Sequence, residues 1–320
     1  MCGPDGTFCI TGIFYKKNIY KIFEKISRII SCFYSITLTI RKMFLIIILN
    51  QGGKTMDKKL GFIGCGNMGG AILMGALKKE ALNKENVAVV VKSEKSKTKY
   101  RELGITVFDT VKELCEWCDI AVLAVKPYMA KDVLSEGKAE LKGKALVSVA
   151  AGLTNSMLLD MTDNEVRVLR TMPNTPALIG EGVMIMCEET DVTEEEKAFV
   201  EKVYEANGAI YWIPEKLMDS AGTVAGCTPA FVAMFIEALA DGGVREGVPR
   251  EMAYKLAANA VYGSAKMMLE TGFSPSVMKD MVCSPGGTTI EGVAALEEGG
   301  MRHAVIDCIH RSTEKTKRLV

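Results

Sequence analysis

Gly64, Gly66 and Gly69 stand in the spacing G-x-G-x-x-G. The apolar run Leu60-Gly61-Phe62-Ile63 precedes them, and the helix-forming run Ala71 to Lys79 follows. Each glycine has a physical reason to be there. One allows a tight turn, one lets a diphosphate approach the backbone, and one lets the helix pack closely on the strand. The helix start then offers free N–H groups and a positive dipole end to an anion. A strand before and a helix after favour a dinucleotide site over a ligand-free glycine turn.

Three further stretches could do chemistry with it. A dinucleotide's ribose is read at the end of the second strand, about 20 residues beyond the glycines, where Asp or Glu suits a 2′-hydroxyl. Lys92-Ser93 occupy that place. A cation and a hydroxyl suit a 2′-phosphate, so NADPH is the expected cofactor and NADH the alternative. Met172-Pro173-Asn174-Thr175-Pro176 holds an amide and a hydroxyl between two prolines, which fix the backbone. Near a nicotinamide, Asn174 could bond its carboxamide or a substrate; an ordinary rigid turn is the plainer reading. Ser284-Pro285-Gly286-Gly287-Thr288-Thr289 leads into an apolar helical run. Thr288-x-x-Glu291 has the pattern of a capping box, which is a sufficient structural reason for both residues. It does not explain two glycines before them. Glycines leading into a helix start expose N–H groups suited to a carboxylate.

Other candidates carry less. Cys115-Glu116-Trp117-Cys118 has redox or metal spacing but no second pair, so two small buried side chains are the simpler reading. His303 and His310 are the only histidines and lack a third ligand, so no metal site is expected.

The elements that must position these residues alternate. Strand patterns cover 60–63, 87–91, 105–108, 120–125, 145–149 and 166–169, with helical stretches at 94–103, 110–117 and from Pro127 to about Glu136. That alternation predicts an α/β fold, a Rossmann-type doubly wound parallel sheet. Ligands of such sheets sit beyond the carboxyl ends of the strands. The glycine loop, Lys126-Pro127, Ser148 to Gly152 and Thr171 to Pro176 share that address. After Pro214 only helices are expected, at 217–223, 229–244, 249–271, 274–281, 288–298 and 301–319. The run from Phe231 to Leu239 is apolar almost all round and needs cover on every side, which predicts a partner subunit.

The chain has 320 residues, 48% hydrophobic and 24% charged, with 39 basic and 39 acidic side chains. Neutral net charge gives no reason to expect nucleic acid. Ten cysteines without a framework fit a reducing compartment. Residues 1–55 differ from the rest, with eight Lys or Arg against two acids and no steady hydrophobic period. Their apolar run Met43 to Leu49 is far short of the roughly 20 residues that span a bilayer. Gly52-Gly53-Lys54-Thr55-Met56 could be encoded by a ribosome-binding site, a spacer and a start codon. Residues 1–55 are therefore expected to be a non-native or disordered leader, with Met56 the true start; a membrane-associating leader is the alternative. Residues 56–216 are expected to form the dinucleotide-binding domain, and 217–320 a helical dimerisation and substrate domain.

From about residue 58 to 319 the chain resembles pyrroline-5-carboxylate reductase. Ser284 to Arg302 matches the family signature, and Phe62 to Met68, Ala124 to Pro127, Ala150 to Gly152, Met172 to Pro176 and Ile236 to Val244 match as well. The resemblance implies reduction of a cyclic imine acid to L-proline with NADPH or NADH, in a cytoplasmic homodimer able to assemble further, with no membrane or nucleic-acid partner. It implies cofactor binding by Gly64, Gly66, Asn67, Met68, Lys92, Ser93, Ala124, Val125, Lys126, Pro127, Ala151 and Gly152. Ser284, Gly286, Gly287, Thr288, Asn174 and Glu237 would bind substrate, and Thr289 would lie near the imine nitrogen as the catalytic residue. One stretch departs: Ala225-Gly-Cys-Thr-Pro-Ala-Phe231 stands where the family has Ser-Gly-Ser-Gly-Pro-Ala-Tyr, so three hydroxyls are missing there. A paralogue with an altered imine or hydroxyacid substrate, or a non-catalytic NADP(H)-binding protein, is the alternative. Lys255-x-x-x-Asn259 has a spacing that suits a hydroxyacid dehydrogenase, but without the glycine-rich context before it.

Overall fold

The computed structural model describes residues 58–318. The expectations about residues 1–55 and a start at Met56 lie outside the described residues.

Eight strands form one sheet among the described residues: β1 (Leu60–Ile63), β2 (Val87–Val90), β3 (Thr106–Phe108), β4 (Ile120–Leu123), β5 (Ala145–Ser148), β6 (Arg167–Pro173), β7 (Gly182–Cys187) and β8 (Gly208–Ile213). Their order is β3-β2-β1-β4-β5-β6-β7-β8. The first six are parallel; Leu60 pairs with Val87 on one side and Ile120 on the other. Every residue of β1, β4 and β5 is buried. That is why these strands read as continuous apolar runs rather than alternating ones.

Helices cover both faces. α1 (Asn67–Lys78) and α6 (Glu194–Glu205) pack on one, through Ile72, Leu73, Phe199 and Val203. α3 (Val111–Trp117) and α4 (Ala130–Leu141) pack on the other, through Leu114, Val133 and Leu134. α2 (Glu94–Glu102) and α5 (Asn155–Met161) complete the crossovers. Local chemistry sets several starts. Thr110 with Glu113, and Thr193 with Glu196, form reciprocal capping boxes.

Several features differ from the pattern expected from the sequence, among them the helices α5 and α6, which no pattern marks. β7 runs antiparallel to β6, with Thr171 opposite Met186, and β8 follows β7 in parallel, so the sheet is mixed at that end. Val183-Met-Ile-Met-Cys187 is a short apolar run that periodicity alone assigns to neither strand nor helix. The stretches 217–223 and 229–244, expected as separate helices, are one helix, α7 (Met218–Arg245), which continues through Pro229.

The remaining helices are α8 (Arg250–Thr271), α9 (Pro275–Val282), α10 (Thr288–Glu298) and α11 (Met301–Thr316). The buried Arg170 of β6 ties the start of α7 to the sheet through ion pairs with Asp219 and, at 3.6 Å, Glu215.

Candidate active site

The glycine loop is built into the carboxyl end of the sheet, beyond the interior strand β1, by backbone bonds. Gly64 N–H donates to Val90 O, and Ala124 N–H to Ile63 O, each at 2.9 Å. Gly64 has φ +80°, and a Cβ there would lie 2.6 Å from Val125 Cγ1 and 2.9 Å from Ala124 O. Only glycine meets both demands. Gly66 is the opposite case: a Cβ there would meet nothing within 4 Å. It precedes α1, whose start has no side-chain cap. Open space above uncapped N–H groups fits a diphosphate. Tyr100, to which no sequence motif points, supports the loop from below; its hydroxyl donates to Cys65 O at 2.8 Å.

Beside this loop lies a cavity of about 480 Å³, walled by Gly64, Val91, Val111, Val125 and Met129, with Lys92, Lys97 and Asp109 also lining it. Among the residues expected at the cofactor, Gly64, Lys92 and Val125 therefore share one cavity. Gly66, Asn67 and Met68 open α1 next to it, and Ala124, Lys126 and Pro127 continue the chain past β4. Ala151 and Gly152 follow β5, which pairs with β4. Ser93 also has a structural role, because its oxygen accepts the Ser96 N–H and caps α2.

Asn174 is buried, and its amide is engaged at both ends. Its oxygen accepts Val183 N–H at 2.8 Å, and its Nδ2 donates to Ala225 O at 3.0 Å. It follows β6, whose Thr171 hydroxyl donates to Ser148 O at 3.0 Å and meets the Tyr204 hydroxyl at 3.0 Å. Burial pushes the Tyr204 phenol up, so it stays protonated.

Ser284 to Gly287 form a largely exposed turn between α9 and α10, Thr288 and Thr289 open α10, and none of them walls the nucleotide-side cavity. The capping box expected at Thr288 and Glu291 is absent. α10 begins at Thr288, its N-cap is Gly287, and no side chain caps it. Glu291 is thus one position too far along the helix to reach back. Gly286 has φ +65°, and Gly287 N–H donates to Ser284 O at 3.0 Å. A Cβ at position 287 would collide with Ser284 Oγ. The turn therefore presents an uncapped helix start whose left-handed position, Gly286, suits glycine. Glu237 is exposed on α7, on the same helix as the exposed Met234, Phe235 and Leu239.

The other candidates have plain accounts. Burial pushes the Cys115 thiol up to about 12 and the Cys118 thiol to about 11. Both pack into the core beneath α3. Asn259 Nδ2 donates to Lys255 O at 2.8 Å along its own helix, so that K-x-x-x-N pair is internal to α8. In the departing stretch, Thr228 donates back to Val224 O of α7.

This fold and site define a class: an oxidoreductase with a dinucleotide-binding sheet and a helical second half. Comparisons with known proteins narrow it. The family model for pyrroline-5-carboxylate reductase dimerisation matches residues 215–319, and one for coenzyme F420-dependent NADP oxidoreductases matches residues 59–152. The pyrroline-5-carboxylate reductase of Escherichia coli K12 is 44% identical over 266 residues, covering 82% of this chain and 99% of its own. That of Arabidopsis thaliana is 39% identical, covering 82% and 95%. The Plasmodium falciparum pyrroline carboxylate reductase, solved with NADP bound, superposes with a TM-score of 0.76 at 36% identity, covering 83% of this chain and 99% of its own. The chain belongs to the pyrroline-5-carboxylate reductase family.

Proposed function

We propose that this protein reduces 1-pyrroline-5-carboxylate to L-proline, the last step of proline biosynthesis, with NADPH as the preferred donor and NADH as the second. The observation that carries this reading is the pairing, in one chain of that family, of an open dinucleotide loop at Gly64–Met68 with an uncapped anion-type helix start at Gly287. When bound, the nicotinamide would supply a hydride to the carbon of the C=N bond, and the nitrogen enters already protonated as the iminium, so hydride addition alone completes the reduction.

The chain's own residues do the rest. Gly64, Gly66, Asn67 and Met68 hold the diphosphate. Lys92 and Ser93 face the ribose, and Ala124 to Pro127 with Ala151 and Gly152 line the path to the nicotinamide. Of the N–H groups from Gly286 to Thr288, those of Gly286 and Thr288 hold the substrate carboxylate, because that of Gly287 is given to Ser284 O, and Ser284, Asn174 and Glu237 stand around it. Thr289 orients the imine nitrogen; a hydroxyl is too weak an acid to be the sole proton source, so most of the rate comes from positioning. Asn174 acts mainly by holding α7 in place, given that its amide already serves Ala225 and Val183.

We divide the protein at residue 216 into a nucleotide half and a helical half that pairs with a second copy. Support comes from the dimerisation match and from the exposed apolar side chains of α7 to α11, among them Met234 (69%), Leu269 (80%) and Ile306 (70%). By length and composition α7 with the turn before it could also cross a bilayer, at a mean hydropathy of 1.6. A second copy is the cover favoured here because the match to the dimerisation family spans this helix. A cytoplasmic location fits the seven unpaired cysteines among the described residues.

The test is NADPH oxidation followed at 340 nm with pyrroline-5-carboxylate, with hydroxyacids and NADP⁺ as the competing assay. Turnover of a hydroxyacid but not the imine acid would overturn the assignment. Nucleotide binding without turnover of either would favour a non-catalytic role.

A further inference from the structure

The cavity beside the glycine loop has an unequal wall. Val91, Val111, Val125 and Met129 make one side apolar, which suits a flat heteroaromatic ring. The polar side carries an ion pair from two different crossovers. Lys97 projects from the first turns of α2, and its Nζ lies 2.6 Å from Asp109 Oδ1, just beyond β3, and 3.4 Å from Glu94. The Lys97 side chain is only 16% exposed, whereas Lys92 stands in solvent. The hydrogen bond to Asp109 pushes the Lys97 ammonium up, and the same bond holds the Asp109 carboxyl down. Both are charged wherever an enzyme of metabolism works.

We propose that Lys97 and Asp109 together select the ribose 2′ substituent of the cofactor. This rests on the reading of the cavity as the adenosine end of a dinucleotide site. A 2′-phosphate carries nearly two negative charges and outcompetes one carboxylate for Lys97. Asp109 opposes it, by holding Lys97 and by repulsion. A 2′-hydroxyl has the reverse preference: it donates to Asp109 and gains little from Lys97. The pair therefore admits both cofactors and keeps discrimination modest. Lys92, hydrated at the rim, supplies attraction to either nucleotide more than choice between them.

The experiment reads nucleotide binding without imine acid. Calorimetric titration with adenosine 2′,5′-bisphosphate and with 5′-AMP compares two probes that differ only in the 2′-phosphate. Lys97→Met is expected to weaken the bisphosphate roughly tenfold and 5′-AMP less than threefold, as for loss of one charge-assisted contact. Lys97→Arg keeps the charge and retains most of the preference. Asp109→Asn shifts the balance the other way, strengthening the bisphosphate and weakening 5′-AMP. Lys97→Met affecting both probes equally, or neither, would overturn the proposal, as would Asp109→Asn leaving their ratio unchanged. A wild-type chain that binds neither probe overturns the nucleotide reading with it. Intact probe selection without imine turnover overturns only the substrate assignment.

Discussion

Asn174 supplies to Ala225 the hydrogen bond that Pro229 cannot. In an uninterrupted helix, the N–H of residue 229 would donate to the carbonyl of residue 225. Proline has no N–H. Asn174 Nδ2 reaches that carbonyl from the end of β6 at 3.0 Å, while its oxygen takes Val183 N–H. One side chain thereby lets α7 pass through a proline and anchors the helix to the sheet.

A double-mutant cycle should expose this coupling. Asn174→Ala leaves Ala225 O and Val183 N–H without partners, at a cost of about 1–3 kcal/mol for each poorly solvated group. Pro229→Ala restores the helix's own donor. The combined variant should lose less stability than the sum of the two single changes, by about 1 kcal/mol. Urea unfolding at one fixed protein concentration measures it. Strict additivity would show that the Asn174–Ala225 bond contributes nothing.

The strands β1, β2, β4 and β5 are legible in the sequence because each is a short apolar run buried on both faces and bounded by a turn. The glycine loop is legible because its spacing reflects backbone geometry, and Gly64 shows that geometry directly. The passage of α7 through Pro229 is not, since its remedy comes from Asn174, 55 positions away in sequence. β7 escapes a pattern reading because Met184 and Met186 carry no clear period. The Thr288–Glu291 pattern misleads by one position: the helix starts on Gly287, and a box needs the hydroxyl at the cap itself. Lys97 carries no signal of its own because its partner Asp109 arrives through tertiary structure, from beyond β3.

Acid should weaken the fold through Glu196. Burial pushes its carboxyl up, but the Arg167 guanidinium, at 2.9 and 2.5 Å, and the Thr193 N–H outweigh that, so it sits below its ordinary value of 4.5. A carboxyl lowered by folding stabilises the native state above its unfolded pKa, and that contribution drains away as pH falls through the folded value. Melting temperature should thus drop below about pH 4.5 in the wild type, with a shallower slope in Glu196→Gln, which has no proton to take up there. Parallel slopes would remove the Arg167–Glu196 pair from the acid transition.

The exposed apolar faces of the helical half predict that no stable single chain exists at assay concentrations. Met234, Phe235 and Leu239 project from α7 within two turns, at 69%, 36% and 43% exposure. Surfaces of that kind are interfaces in soluble proteins. Sedimentation equilibrium should find a homo-oligomer at micromolar protein, and Leu239→Asp should shift it toward single chains or aggregates. A wild-type species of one chain's mass that stays folded would contradict the expectation.

The stretch from Ser284 to Thr289, a turn leading into α10, separates two roles that one site could combine. Gly286 needs its left-handed backbone, and a Cβ at Gly287 would collide with Ser284 Oγ, which would have to rotate away, and would lie 3.1 Å from Ser284 O. Gly287→Val should therefore displace the N–H groups before α10 and raise KM for the imine acid, leaving NADPH affinity nearly unchanged. Thr289→Ala keeps the backbone. If its hydroxyl acts at the imine nitrogen, where charge changes on the way to the transition state, kcat falls more than KM rises. A loss on the order of tenfold to a hundredfold corresponds to about 1.4–2.7 kcal/mol, the scale of one positioned hydrogen bond. Because no side chain caps α10, neither threonine has a capping role whose loss could imitate this result. Steady-state kinetics on both variants decides the matter, with thermal melts showing that each is folded. A folded Thr289→Ala enzyme with wild-type kcat would take that residue out of the mechanism and leave the loop only its grip on the carboxylate.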